Sequence, residues 1–337
     1  MPAGLIRPVF SLDWNLHSRF TTSAFLYALR SEAESARAGR ESFCPGGVLQ
    51  LCRDAEHFEK QQRMVEQWRL PAELVQIVSR HEASARAGFP AAGPGWWLPG
   101  AAWASPASLC AANLAGCVDG LEVRFSCTAD SLRRRNNTWE ILDQSGTCIA
   151  NAPVAIIANA IAASRFSQAA WLPLRTVRGQ ISVLPAIAGR SLNVAVCREG
   201  YVTPESNGLH LLGSSFNEDI EDSALRVEDH ASNLRRLESM LPGFGVGHEV
   251  GSLTGHVAFR TMARDRLPVL GALTELDGKR ADANRLFACL AMGSRGMTWA
   301  ALAAEIVASR LSGDPAPVER DLLAALEPQR FISRDGH

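Results

Sequence analysis

Leu286-Phe287-Ala288-Cys289-Leu290-Ala291-Met292-Gly293-Ser294-Arg295-Gly296-Met297-Thr298 is the stretch on which the reading of this chain turns. An apolar run enters a two-glycine turn, and Trp299 to Leu311 follows with Glu305 and Arg310 as its only charges. The order expected is buried strand, tight turn, buried helix. Glycines let the backbone come close to a bound group, and the helix that follows points unpaired N–H groups and a partial positive charge back at the turn. That geometry suits the electron-rich edge of a ligand. The same pattern also reads as plain punctuation between a strand and a helix. Just upstream, Arg260-Thr261-Met262-Ala263-Arg264-Asp265-Arg266-Leu267-Pro268-Val269-Leu270-Gly271 brings further arginines and strengthens the ligand reading.

The rest of the chain sets bounds. At 337 residues it exceeds the usual single-domain size, so two domains are expected. A net charge of −1 excludes a globally basic nucleic-acid binder, and any polyanion partner must meet a local patch. The 8 cysteines form no C-x-x-C pair and no histidine stands at zinc-ligand spacing, so no metal site is expected, and free buried thiols in a reducing cytosol explain them better. The opening residues lack the apolar core of a signal peptide. The longest nearly apolar run, Ala152 to Ala163, is too short to span a bilayer, so a soluble protein without a membrane partner is expected.

Periodicity predicts helices from His17 to Ala38, Asp54 to Trp68, Pro71 to Arg80 and Val227 to Met240, and Ser105-Pro106 reads as a helix start. Strands are expected at Val48 to Cys52, in a meander from Leu121 to Ile149 broken at Arg133 to Asn137 and Asp143 to Gly146, and at Ile181 to Leu184, Leu192 to Cys197 and Leu209 to Ser214. Val154 to Ala158 reads as a strand buried on both faces of a parallel sheet. The glycine- and proline-rich Pro90 to Gly100 reads as a structured loop. The chain thus alternates twice between α/β and antiparallel β character, as two interleaved domains would.

Pro2-Ala3-Gly4-Leu5-Ile6-Arg7-Pro8, Trp97 to Pro106, Val177-Arg178-Gly179-Gln180, Gly200-Tyr201-Val202-Thr203-Pro204, Arg264-Asp265-Arg266-Leu267-Pro268 and Gly293-Ser294-Arg295-Gly296 occur in this order. The series resembles the D-amino-acid-oxidase-like flavoproteins. Within them it is most similar to the branch formed by the oxidoreductase half of the bifunctional enzymes that finish 5-methylaminomethyl-2-thiouridine at the tRNA wobble position. The Gly293 turn and the tail Asp321 to Phe331 favour that branch over glycine or sarcosine oxidases. The resemblance covers nearly the whole chain.

It implies an α/β (α+β) fold: a Rossmann-like FAD-binding domain, N-terminally truncated, interleaved with an antiparallel β-sheet substrate domain. Residues 1–45, 96–168 and 255–330 would form the first and 46–95 with 169–254 the second. It implies a cytoplasmic FAD enzyme that removes the carboxymethyl group from 5-carboxymethylaminomethyl-uridine in tRNA, with the later methylation left to a separate methyltransferase. One departure stands out. The family's G-x-G-x-x-G turn, which holds the FAD pyrophosphate at a helix N-terminus, occurs nowhere in the chain, so roughly the first βαβ unit is absent. Two rivals stay open: an oxidase of glycine or small secondary amines, and a cofactor-free remnant acting as a binding module.

The resemblance also assigns roles. A carboxylate on the substrate invites an arginine fork, and Arg260 stands where related amine oxidases carry theirs; a structural ion pair with Asp265 is the plain alternative. Tyr201 matches the position of a hydroxyl serving the same carboxylate, or is a half-buried strand aromatic. Arg178 faces the flavin or the base, or is a strand-end surface charge. Gly4, Gly293, Ser294, Arg295, Gly296, Met297 and Thr298 are the expected cofactor contacts, with Arg295 and the helix dipole offering positive charge to the flavin. Asp265 orders its loop. Arg133 to Arg135 and Arg235-Arg236 are tRNA-contact candidates that read equally as a polar turn and a solvated helix face.

Overall fold

The computed structural model describes residues 2–40, 42–117, 120–218, 220–273 and 285–332. The chain divides into two compact units, Met1–Gly116 with Val177–Phe259 and Cys117–Thr176 with Arg260–His337. These units cut the chain at other points than the functional domains expected from the resemblance: residues 1–45 and most of 255–330 fall in different units.

The first unit is built on a nine-stranded sheet. Its order runs Asn217–Glu218, Leu174–Pro185, Leu209–Gly213, Tyr201–Val202, Ala195–Cys197, Val48–Leu51, Gly95–Leu98 and Gln76–Val78, with Thr254–Ala263 also paired to Leu174–Pro185. Ala195–Cys197 runs parallel to Val48–Leu51, whereas the hairpin-type neighbours are antiparallel. Helices Arg80–Ala87 and Val227–Met240 supply Ala83, Ala87, Leu237 and Met240 to a core shared with Leu49, Leu51, Val196, Val202 and Leu212. Three helices begin on side-chain caps, Asn15 for Leu16–Arg37, Asp54 for Ala55–Trp68 and Ser105 for Pro106–Ala115, close to where the sequence places them.

Two expectations fail here for local reasons. Pro71 to Arg80 is not a helix. Gln76–Val78 is a strand, as suits the branched Val75, Ile77 and Val78, and the helix is Arg80–Ala87. Ser79 and Glu82 cap it reciprocally, and Gly88, at φ 74°, ends it. Pro90 to Gly100 is more than a loop. Gly95–Leu98 is a fully buried interior strand, and a β-carbon on Gly95 would stand 2.2 Å from the Gln50 carbonyl oxygen. The glycine marks close backbone approach inside the sheet.

The second unit holds two three-stranded sheets. Ser131–Arg135, Thr138–Leu142 and Cys148–Ala152 form the antiparallel meander. Its first turn is Asn136-Asn137, both at positive φ, so the arginine triplet lies on a strand and not in the turn. No strand forms among the described residues 120–130, contrary to the expectation from Leu121 onward. The other sheet runs Ala155–Ile157, Leu286–Leu290, Val269–Ala272, with the first pair parallel. One face packs Leu286, Ala288 and Leu290 with Trp139 and Ile157, and the other packs Phe287 and Cys289 with Val307 and Leu311 of the helix Gly296–Ser312. Ala155–Ile157 is not buried on both faces as expected: among the described residues it lies at the edge of its sheet, and Ile156 is 47% exposed.

Candidate active site

Strand, turn and helix at Leu286–Leu290, Gly293–Arg295 and Gly296–Ser312 match the sequence reading. Ala155–Ile157 and Leu286–Leu290 are parallel, so their carboxyl ends point the same way. Val269 opposes Leu290, which brings the turn Arg264 to Pro268 to that same end. Open α/β sheets bind ligands at the carboxyl ends of their strands. Left-handed residues mark the end of the sheet here: Ala160 at φ 56°, Arg266 at φ 64°, Ala291 at φ 60° and Gly293 at φ 53°. Alanine in that region is strained, and such strain concentrates at ligand sites. Ala160 and Ala291 carry no local signal of this, because nothing in an alanine announces positive φ.

The helix Gly296–Ser312 begins without a side-chain cap and without an acidic residue in its first turn. A helix start of this kind turns its N–H groups and the positive end of its dipole toward the preceding turn. Gly296 and Met297 open the helix and Thr298 is buried in its first turn. Arg295 stands at the N-cap and Ser294 lies within the preceding 3₁₀ turn. Gly293 packs on Met262, with 3.4 Å between the Met262 Cγ and the place of a β-carbon. Arg260 precedes Met262 by two residues in Thr254–Ala263, which puts the two side chains on one face of the strand. The structure therefore places Arg260 on the face that meets the glycine turn. Asp265, its plain ion-pair alternative, accepts from the Leu267 N–H at 3.1 Å and from Arg330 Nε at 2.7 Å, and so orders the turn. Beyond that turn a cavity of about 690 Å³ opens beside Arg264, Arg330 and Phe331.

The remaining expected residues lie in the first unit. Tyr201 donates its hydroxyl proton to the Ala3 carbonyl at 2.8 Å, which ties it to the residue just before Gly4. Gly4 opens the strand Gly4–Ile6 opposite Ala104. Arg178 is no surface charge and faces no open site. It is fully buried, and its nitrogens go to the Asp222 carbonyl at 2.9 Å, Gln180 Oε1 at 3.1 Å, the Ala224 carbonyl and the Asp229 carboxylate. Asn217, Gln180, Asn233, Ser182 and His230 extend this network, with Ser182 Oγ 2.7 Å from His230 Nδ1. Neither arginine group expected to touch nucleic acid is wholly uncommitted: Arg133 binds Glu140 at 2.8 Å and Arg236 donates to the Ser214 carbonyl at 2.7 Å. None of the eight cysteines is in a disulfide, but Cys110, Cys117, Cys127 and Cys148 are exposed, where burial was expected. Burial pushes the Cys289 thiol above its ordinary pKa. Among the described residues no cluster could hold a metal ion, and no helix is long and apolar enough to cross a membrane.

The family model for FAD dependent oxidoreductases, the D-amino-acid-oxidase type, matches residues 2–310. The chain belongs to this family. Family members use FAD, and one edge of it fits what the sheet end offers: an uncapped helix N-terminus, two glycines and Arg295. Among curated relatives, the tRNA 5-methylaminomethyl-2-thiouridine biosynthesis bifunctional protein MnmC of Azoarcus sp. is 40% identical over 98% of this chain and 54% of its own length. The same protein of Aromatoleum aromaticum is 41% identical over 98% and 53%. The chain therefore spans about half the length of these relatives. Among solved structures, glycine oxidase from Geobacillus kaustophilus superposes with a TM-score of 0.77 at 18% identity, covering 98% of this chain and 88% of that one. Iminodiacetate oxidase from Chelativorans sp. gives 0.75 at 20% identity, covering 97% and 88%. These likenesses establish the flavoenzyme fold.

Proposed function

We propose that the chain is the FAD-dependent oxidoreductase of wobble-uridine modification, acting in the cytoplasm on 5-carboxymethylaminomethyl-uridine in tRNA. The names of its relatives at 40–41% identity support this reading. The observation that carries it is Arg260 on the strand face that meets the Gly293 turn. When bound, FAD supplies the acceptor for a hydride from the carbon beside the substrate nitrogen. The chain's own part is placement. Arg260 would grip the substrate carboxylate, and Gly293, Ser294, Arg295, Gly296, Met297 and Thr298 would hold the flavin edge. Tyr201, held at Ala3, would serve the substrate, and Gly4 the cofactor. The C–N bond becomes an imine, water adds, and glyoxylate leaves while the aminomethyl group stays on the base. Methylation then falls to a separate methyltransferase.

In this reading residues 1–45, 96–168 and 255–330 serve FAD and 46–95 with 169–254 serve the substrate, whatever the compact units share by contact. Arg178 is assigned a structural part. The test is glyoxylate release from tRNA bearing the modified uridine, with free glycine and sarcosine as controls. Arg260→Ala is expected to lose about 100-fold or more in turnover with flavin retained. Full activity in that variant removes Arg260 from the site, and turnover of glycine with no gain from tRNA overturns the tRNA reading.

A further inference from the structure

The wall of the cavity of about 690 Å³ beyond the turn Arg264 to Pro268 includes Arg264, Glu327, Gln329, Arg330, Phe331 and Ile332, all of the second unit. Its charges are not equally occupied. Glu327 pairs with Arg310, and Arg330 pairs with Asp265. Arg264 is exposed and has no hydrogen bond or ion pair among the described residues. An arginine is always charged, and its planar fork fits phosphate oxygens. The wall thus carries one cation with no acid among the described residues to answer it.

The rest of the wall offers a flat surface. The edge of the Arg330 guanidinium is fully engaged: Nε donates to Asp265 Oδ2 at 2.7 Å, Nη1 to the Leu326 carbonyl at 2.7 Å and Nη2 to the Leu267 carbonyl at 3.2 Å. Its central carbon lies over the Phe331 ring, 4.2 Å from the centroid. Hydrogen bonds made in the plane leave a guanidinium only its faces, and arginine planes and aromatic rings are the surfaces on which unpaired bases stack. Phe331 is braced against the core that holds Trp139 and Ile157, so the pair is fixed before anything binds. Gln329 donates Nε2 to the Ala272 carbonyl at 2.8 Å, and its buried Oε1 meets no donor among the described residues; a base N–H reaching this wall would satisfy it.

Cation and stack match the two parts of one nucleotide. An acidic peptide would answer Arg264 and leave the stack unused. Arg260, assigned the substrate carboxylate, stands four residues before Arg264, about 13 Å of extended chain. The groove therefore follows the same strand as the carboxylate grip, within reach of the RNA that flanks the modified base. We propose that it is a subsite for an unpaired nucleotide of tRNA next to the modified uridine: Arg264 takes a phosphate, and a base stacks against the Arg330–Phe331 pair. The proposal rests on the tRNA reading and names where the RNA beside the wobble base is held.

The test titrates a fluorescent RNA hairpin, with a uridine at the wobble position of its loop, against the 337-residue protein and reads anisotropy over a range of salt. Arg264→Ala is expected to weaken binding about tenfold and to flatten the slope of log affinity against log salt by about 0.7, the share of one phosphate on a single strand. Arg264→Lys should keep most of that slope. Replacing the loop nucleotides beside the uridine one at a time by abasic residues should cost the native protein at least about fivefold at one position. Phe331→Leu, with its far-UV dichroism unchanged, should pay no further penalty at that position; if it does not fold, Arg264→Ala alone decides, because Arg264 is exposed and bonds to nothing described. A hairpin that binds the native protein but is indifferent to Arg264→Ala, or that suffers the full abasic penalty in Phe331→Leu, overturns the subsite and leaves the tRNA reading standing. A hairpin that does not bind even at low salt overturns both. Displacement by free uridine monophosphate at the hairpin's own dissociation constant assigns the groove to a soluble nucleotide and overturns the placement of RNA there.

Discussion

The buried network around Arg178 and the end of the sheet around Gly293 use polar groups in opposite ways. In the first, one arginine, one aspartate and a set of amides and hydroxyls are enclosed, and each nitrogen of Arg178 has a protein acceptor. In the second, a helix of 17 residues starts without a cap, and two alanines hold left-handed backbone. Burying a charge is tolerable only when it is paired and hydrogen-bonded, so the first region has spent its polarity on architecture. The second keeps an uncapped helix start and left-handed alanines at one sheet end. Binding capacity is therefore read from what the fold leaves open, and a motif arginine is not a ligand group until its partners are known.

The strongest way to break this comparison is Asp229→Ala. It leaves the Arg178 guanidinium buried without its carboxylate, and removing one member of a buried pair costs about 3–5 kcal/mol. A urea titration should show that loss. A change well under 1 kcal/mol would mean that the network does not hold the first unit together. Flavin uptake, corrected for the unfolded fraction, should not change.

Next comes Gly293→Val, the matching insult to the open region. Its φ of 53° costs a side-chain-bearing residue about 1–2 kcal/mol, and the added methyl groups meet Met262. Flavin affinity should fall by more than stability does, because the turn loses its close approach. Equal losses in both would make the glycine plain punctuation.

How far the sequence reached is instructive at particular residues. The helix Leu16–Arg37 was legible from the spacing of Phe20, Ala24, Tyr27 and Ala28, and Pro106–Ala115 from Ser105-Pro106 at its start. The strand–turn–helix at Leu286 to Ser312 was legible from its apolar run, its two-glycine turn and the nearly charge-free stretch after it. Arg178 was not, since a Val-Arg-Gly-Gln string looks alike at a strand end and in a core, and its partner Asp229 is 51 residues away. Gly95 misled because glycine and proline mark loops locally, whereas here the glycine admits the Gln50 backbone. The run Val154 to Ala158 reads as interior strand because its composition is right for one, and only the ladder shows an edge. Pairing is a long-range property, and composition reports burial without saying what covers it.

A smaller effect separates local from long-range signal. Ser79→Ala removes the cap of Arg80–Ala87, a signal that was present in the sequence as Ser79-Arg80-His81-Glu82 and was passed over. The expected cost is about 1 kcal/mol, read as a shift of the urea midpoint. No shift would mean that packing of Ala83 and Ala87 alone fixes the helix.

The gentlest effect is a slope. Among the described residues every histidine belongs to the first unit, so weakly acidic pH should act on that unit alone. Burial lowers the pKa of His230 below its ordinary 6.5, against the opposing charge of Asp229, and His57 and His248 are displaced in the same direction by burial. A depressed histidine stays neutral in the folded protein while the unfolded chain binds its proton near the ordinary value. The unfolded state therefore holds more protons below that value, and stability rises with pH across the window between the two pKa values. The contribution is complete above 6.5 and is lost as pH falls toward the folded-state value. His230→Asn keeps a polar group near Ser182 and removes the titration, so its urea midpoint should depend less on pH than that of the native chain. An unchanged slope would place the effect at His57 or His248, and a reversed slope would mean that His230 is held charged against the Asp229 carboxylate.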